Sequence, residues 1–184
     1  MRQRLLFSFF IVAATLVPRA IPQNAGSTQR AAFKSKSESP RDSCPITQPP
    51  SKPFVPPAPY PNKITADSFW LGSEKLWTSR SKNGLLFGYW TTDPELGKHK
   101  IYYDKVFWWR KGYDWRVENP PQLKVTGKRL DAPAPALYAG QTQPAFIKIP
   151  AMVSGVDIPT VGCWEITGEY KGDKLSFVVR VVDP

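Results

Sequence analysis

The residues best suited to binding a ligand form one aromatic and cationic cluster between positions 107 and 116. Aromatic rings beside cationic side chains can stack on sugars or make cation–π contacts worth about 0.5 to 2 kcal/mol each. If this segment is a strand, both of its faces carry large rings, so at least one tryptophan should be partly exposed. The alternative is core packing, with arginine and lysine stems covering the rings. The candidate ligand-binding residues are Trp108, Trp109, Arg110, Tyr113 and Trp115.

Groups that could catalyse a reaction are sparse. His99 is the single histidine of the chain; it lies between Lys98 and Lys100, and no Gly-x-Ser-x-Gly turn occurs to supply a nucleophile. One histidine does not make a His-rich metal site, and the sequence has no Asp-rich calcium loop. Glu165 and Glu169 would lie about 13 Å apart on one strand, beyond the roughly 5 to 10 Å used in glycoside hydrolysis. We therefore predict no catalytic residue, metal or cofactor. A hydrolase with carboxylates from distant segments is the alternative.

The N-terminus has the pattern of a secretory signal peptide, which we assign to residues 1–22. Arg2 and Arg4 precede an apolar run at 5–17. As a helix this run would rise only about 20 Å, less than the roughly 30 Å of a bilayer core. No clean small-x-small cleavage site follows, so an uncleaved anchor is the alternative. Cys44 lies far from the run and has no lipobox, which argues against a lipid anchor. We predict an exported protein, either periplasmic, on the cell surface or secreted.

The charge of the chain is split between two parts. The formal net charge is +10. Seven basic and two acidic residues precede Cys44, and eighteen basic and thirteen acidic residues follow it, so each part carries +5. The folded part is therefore only mildly basic, and it has no basic stripe that would indicate a nucleic-acid partner.

Two extended segments precede the predicted domain. Residues 23–43 are rich in Ser, Arg, Lys and Gln and bury little apolar surface, which predicts a disordered tether. Residues 44–61 contain eight prolines and favour polyproline II, so we call them the Pro-rich strap. A docking peptide is the alternative for this segment. The remaining residues, 62–184, form the predicted domain.

Short β-prone segments separated by Pro, Gly and Asn predict about seven strands. Asn83-Gly84 is a strong signal for a two-residue hairpin between 76–80 and 85–90, and 91–100 is predicted to be a loop. Strands at 162–170 and 174–182 should place Trp164 on a core face. The fold class is therefore all-β, an antiparallel β-sandwich that is immunoglobulin-like in architecture only.

The chain has two cysteines, Cys44 and Cys163. An exported protein can keep a disulfide, and these two residues are the one intramolecular pair possible. Strict alternation places Cys163 opposite Trp164, on the outer face, where a bridge can reach a strap that lies across the sheet. Two buried free thiols or an intermolecular bond are the alternatives.

Four motifs resemble those of a family of exported bacterial proteins. They lie at 44–47 (Cys-Pro-Ile-Thr), 107–110 (Phe-Trp-Trp-Arg), 130–135 (Leu-Asp-Ala-Pro-Ala-Pro) and 158–168 (Ile-Pro-Thr-Val-Gly-Cys-Trp-Glu-Ile-Thr-Gly). The resemblance implies a compact β domain in which the first and last motif cysteines are shared. It brings no activity, ligand or catalytic residue.

Together these observations predict an exported, non-enzymatic interaction domain of the envelope or the secreted medium. Its partner would be an envelope protein or a polysaccharide. The alternative is a polysaccharide-binding module that uses exposed tryptophan and tyrosine rings.

Overall fold

A computed structural model describes residues 44–62, 64–95, 97–145 and 150–184. The predicted signal peptide (1–22) and tether (23–43) lie outside the described residues. Within the described ranges the chain forms twelve strands and no helix, and so has no helix able to cross a membrane. The strands are β1 (Ser68–Ser73), β2 (Leu76–Ser81), β3 (Leu85–Phe87), β4 (Tyr89–Asp93), β5 (Gly97–Ile101), β6 (Tyr103–Trp109), β7 (Lys124–Arg129), β8 (Tyr138–Ala139), β9 (Gln143–Ala145), β10 (Ala151–Asp157), β11 (Gly162–Tyr170) and β12 (Asp173–Val182).

Ten of these strands form two sheets that pack face to face. The six-stranded sheet has the order β1-β2-β6-β10-β8, and β9 also pairs with β10. The four-stranded sheet has the order β3-β12-β11-β7. β4 and β5 pair only with each other in the described chain and form a separate hairpin. The predicted β-sandwich is confirmed, and one pairing departs from the antiparallel pattern because β3 runs parallel to β12.

The core between the sheets follows the predicted alternation of β11 and β12. Trp164 and Ile166 of β11 are fully buried beside Phe177 of β12. From the opposite sheet, Trp108 of β6 packs against Phe177 with ring centroids 5.8 Å apart. Burial of each such side chain stabilises the fold by about 1.5 to 3 kcal/mol.

The predicted disulfide joins Cys44 to Cys163, with Cα atoms 5.4 Å apart. Because Trp164 points into the core, its neighbour Cys163 points to the outer face of the four-stranded sheet. Thr47 holds the same end of the strap against β12: its amide donates to the Val178 carbonyl (3.1 Å), and its hydroxyl accepts from the Val178 amide (2.7 Å). The bridge therefore fastens the strap to the back of this sheet.

Further along, the strap covers part of the outer face of the six-stranded sheet. There the rings of Phe54 and Tyr60 lie 5.5 and 5.1 Å from that of Trp77. Trp70 packs edge-on against Trp109 (5.0 Å), and its indole N–H donates to the Pro61 carbonyl (2.9 Å). This second apolar cluster means that, beneath the strap, both faces of the six-stranded sheet are shielded from solvent.

Two local predictions are wrong. Asn83-Gly84 does not close a hairpin, because β2 belongs to the six-stranded sheet and β3 to the four-stranded sheet. Gly84 does adopt the left-handed conformation of a turn (φ 60°), but the turn carries the chain between sheets, and a side chain there would overlap Ile46 of the strap. The segment predicted as a loop at 91–100 contributes to the β4–β5 hairpin instead.

Candidate functional site

The aromatic cluster that the sequence singles out is mostly buried. Trp108 is 0% exposed, Trp109 2% and Tyr113 8%. The prediction that at least one tryptophan of the cluster is partly exposed is met by Trp115 and by neither Trp108 nor Trp109. Trp108 fills the core between the sheets, and Trp109 on the opposite face packs against Trp70 in the cluster beneath the strap. These three rings offer no open face to a ligand.

The rest of the predicted cluster lies in the loop after β6, because that strand ends at Trp109. Arg110 forms an ion pair with Asp173 (3.1 Å), and its guanidinium lies 5.5 Å from the ring centre of Tyr170. Trp115 is half-buried against the core. These contacts attach the loop to the β11–β12 turn, and a ligand-binding role for Arg110 and Trp115 stays a prediction.

Two titrating groups of this loop have shifted pKa values, and one of them, Glu118, helps to hold the loop in place. Burial raises the pKa of Tyr113 to about 12. Burial would also raise the pKa of Glu118, but hydrogen bonds from Lys171 (2.7 Å) and Tyr170 (2.6 Å) outweigh it and hold that pKa below its usual value. The loop is thus part of the fold, held by a charged network at its rim.

A groove of about 470 Å³ lies on the outer face of the six-stranded sheet, beyond the part that the strap covers. Three aromatic residues line it, Tyr103, Phe107 and Tyr138. We call it the aromatic groove. Tyr138 is 68% exposed, so its ring stands open to solvent. The charged and amide side chains of the groove are Lys105, Asp157, Gln141 and Gln143.

Strand pairing explains why these residues converge. Trp108 of β6 faces the core. Because side chains alternate along a strand, Tyr103 and Phe107 both lie on the outer face of β6. They pair with Asp157 and Val153 of β10. Gly155 lies between them, and a Cβ there would come within 2.6 Å of the Tyr103 hydroxyl. The absence of a side chain therefore lets the Tyr103 ring lie over the sheet as one wall of the groove.

The groove continues the aromatic surface under the strap. The Phe107 ring stacks beside that of Trp109, with centroids 6.2 Å apart and planes 25° from parallel. Phe107 therefore belongs both to the covered cluster and to the open groove. The aromatic cluster that begins at position 107 indicates one end of this groove, whereas Tyr138 stands apart from it in the sequence and gave no signal.

Chemically, the aromatic groove is a binding surface with few reactive groups. Its rings can stack on a flat apolar ligand face, while the amides, the ammonium and the carboxylate can hydrogen-bond at the rim. Among the groove residues Asp157 is the one carboxylate. In the part of the chain that the structure describes, no three His, Cys, Asp or Glu residues are grouped to hold a metal ion. Comparisons with protein-family models, curated proteins and solved structures give no match.

Proposed function

We propose that this chain is an exported, non-enzymatic interaction domain that binds an extended polysaccharide in the aromatic groove. One observation carries the proposal: the exposed ring of Tyr138 shares an open groove with Tyr103 and Phe107 and with hydrogen-bonding side chains. Sites of this composition, mostly apolar with a few polar groups, suit ligands that have both apolar faces and hydroxyl groups. A sugar ring has both. The disulfide supports the exported part, since such bonds persist in oxidising compartments.

The charged groups favour binding over cleavage. Glycoside hydrolysis uses two carboxyl groups about 5 to 10 Å apart, and Asp157 is the one carboxylate that lines the groove. We therefore keep the hydrolase as the less favoured alternative. A second alternative is that the domain binds an envelope protein. The resemblance to exported bacterial proteins remains a prediction.

Retention on insoluble polysaccharides tests the proposal. The full chain is incubated with cellulose, chitin, xylan and peptidoglycan, and bound protein is quantified against Tyr138→Ala. Loss of this ring should weaken binding about tenfold, equivalent to about 1.4 kcal/mol. Phe87→Ala is the matched control, because Phe87 is similarly exposed (58%) but lies in the four-stranded sheet. Retention on none of the polymers, or equal retention of Tyr138→Ala and wild type, rejects the proposal.

A further inference from the structure

Exposed aromatic side chains are concentrated at the start of the β4–β5 hairpin and just before it. Among the described residues, four large aromatic side chains are exposed, and three of them fall between positions 87 and 90: Phe87, Tyr89 (44%) and Trp90 (51%). The hairpin pairs with neither sheet of the sandwich. It is also distinct from the aromatic groove, since none of these residues lines that groove.

One face of the hairpin combines an exposed indole with two ammonium groups. Trp90 pairs with Lys100 and Thr92 pairs with Lys98, so these four side chains share a face. The Lys98 and Lys100 Nζ atoms lie 5.0 and 5.3 Å from the Trp90 ring centre. We call this set the Trp90 face.

The base of the Trp90 face is fixed by the C-terminal end of the chain. Asp183 accepts hydrogen bonds from Lys100 (2.8 Å) and from the Tyr102 hydroxyl (2.9 Å). The hydrogen bond to Asp183 raises the pKa of Lys100. Lys98 is exposed further along the strand. The face therefore presents one cation paired with Asp183 and one exposed cation, both beside an aromatic ring.

We infer that the Trp90 face is a second saccharide site, which binds acidic sugars. The Trp90 ring would stack on the sugar, and the ammonium groups of Lys98 and Lys100 would bind its carboxylate or sulfate. Charge complementarity favours this ligand, because the chain from Cys44 onward carries +5 and charge-assisted hydrogen bonds to carboxylate are stronger than neutral ones. The Lys98–indole contact is weak at an exposed site, so an anion can draw this ammonium group aside. Lys100 stays bound to Asp183 and can bind the anion with its remaining N–H donors. The inference depends on the proposed function only for the class of ligand.

An anionic lipid surface would need the same residue types but fits the hairpin less well. The turn between β4 and β5 includes Pro94 and exposed Glu95. A carboxylate at the tip opposes insertion into an anionic bilayer, whereas a polymer can bind along the Trp90 face without the tip being inserted into anything. We therefore commit to a saccharide and make the lipid surface an outcome of the test.

Titration with polygalacturonate, a chain of uronic acids, tests the inference. The full chain should bind it, and the affinity should fall as NaCl rises from about 0.05 M to about 0.5 M because exposed charges are screened. Uncharged dextran should not compete. Trp90→Ala should weaken binding about tenfold and Lys98→Gln about threefold. Lys124→Gln, which removes an exposed lysine from β7, is the matched control and should bind as the wild type does.

Three results would overturn the inference. One is wild-type affinity in Trp90→Ala, and another is an equal loss in Lys124→Gln, which would indicate charge attraction without a site. The third is binding to phosphatidylglycerol vesicles, but not to polygalacturonate, that Trp90→Ala abolishes. Failure of the aromatic groove is recognised separately, because it is measured with Tyr138→Ala on insoluble polysaccharides. Polygalacturonate binding that Trp90→Ala reduces and Tyr138→Ala leaves unchanged supports the Trp90 face by itself.

Discussion

Removing the bridge between Cys44 and Cys163 should greatly destabilise the domain. The two residues are 119 positions apart in the sequence. In the chain-entropy description, opening a loop of that length lowers the free energy of unfolding by about 5 kcal/mol at 25 °C. Domains of this size are stable by about 5 to 15 kcal/mol, so the variant should be close to unfolding. Urea denaturation followed by tryptophan fluorescence measures the effect, and the midpoint should fall by about 2 to 5 M.

A comparison of single and double variants identifies the cause. Cys44→Ala and Cys163→Ala each remove the whole bridge, so the double variant should be hardly less stable than either single one. Cys163 is 2% exposed, and its replacement adds a small cavity cost of its own. Losses below about 1.5 kcal/mol, or losses that simply add in the double variant, would refute the loop-entropy reasoning.

Three further predictions concern the cluster at the end of β6 and its loop. Trp108→Ala should cost about 3 to 5 kcal/mol in urea denaturation, because the ring is a core element; a loss below about 1 kcal/mol would contradict its burial. Tyr113→Phe should leave stability unchanged or raise it by about 1 kcal/mol, since the hydroxyl is buried without a hydrogen-bond partner among the described residues; a clear loss would reveal a partner. Glu118 has a lowered pKa, so its stabilisation is full above the unfolded value of 4.5 and disappears as the pH falls through the folded value. The stability difference between wild type and Glu118→Gln should therefore shrink between about pH 5 and pH 3, and a difference that is constant over this range would count against the network.

The C-terminal half of the fold was accessible from the sequence because its signals are local. Strict alternation in β11 and β12 puts Trp164 inside and Cys163 outside, and the turn between them is short. With Cys163 on the outer face, a strap that carries Cys44 across that face can form the disulfide. Both the sandwich and the disulfide were predicted on these grounds.

The remaining features depend on contacts that are distant in sequence. The turn signal at Asn83-Gly84 fixes a local backbone conformation, but the partners of β2 and β3 lie in different sheets. Likewise, alternation in β6 correctly separates Trp108 from Trp109, yet it cannot reveal that the strap covers the outer ring. The ligand surface was therefore sought at Trp109, whereas the open surface begins at Phe107.

The bridge and the aromatic groove occupy opposite sides of the molecule. Cys44 is joined to Cys163 behind the four-stranded sheet, whereas Tyr138 opens from the outer face of the six-stranded one. A partner that binds the protein at Cys44 therefore lies against the outer face of the four-stranded sheet and leaves the aromatic groove open. A polysaccharide much longer than the domain could then lie across the aromatic groove without contacting that partner, so the length of the polysaccharide would not limit binding.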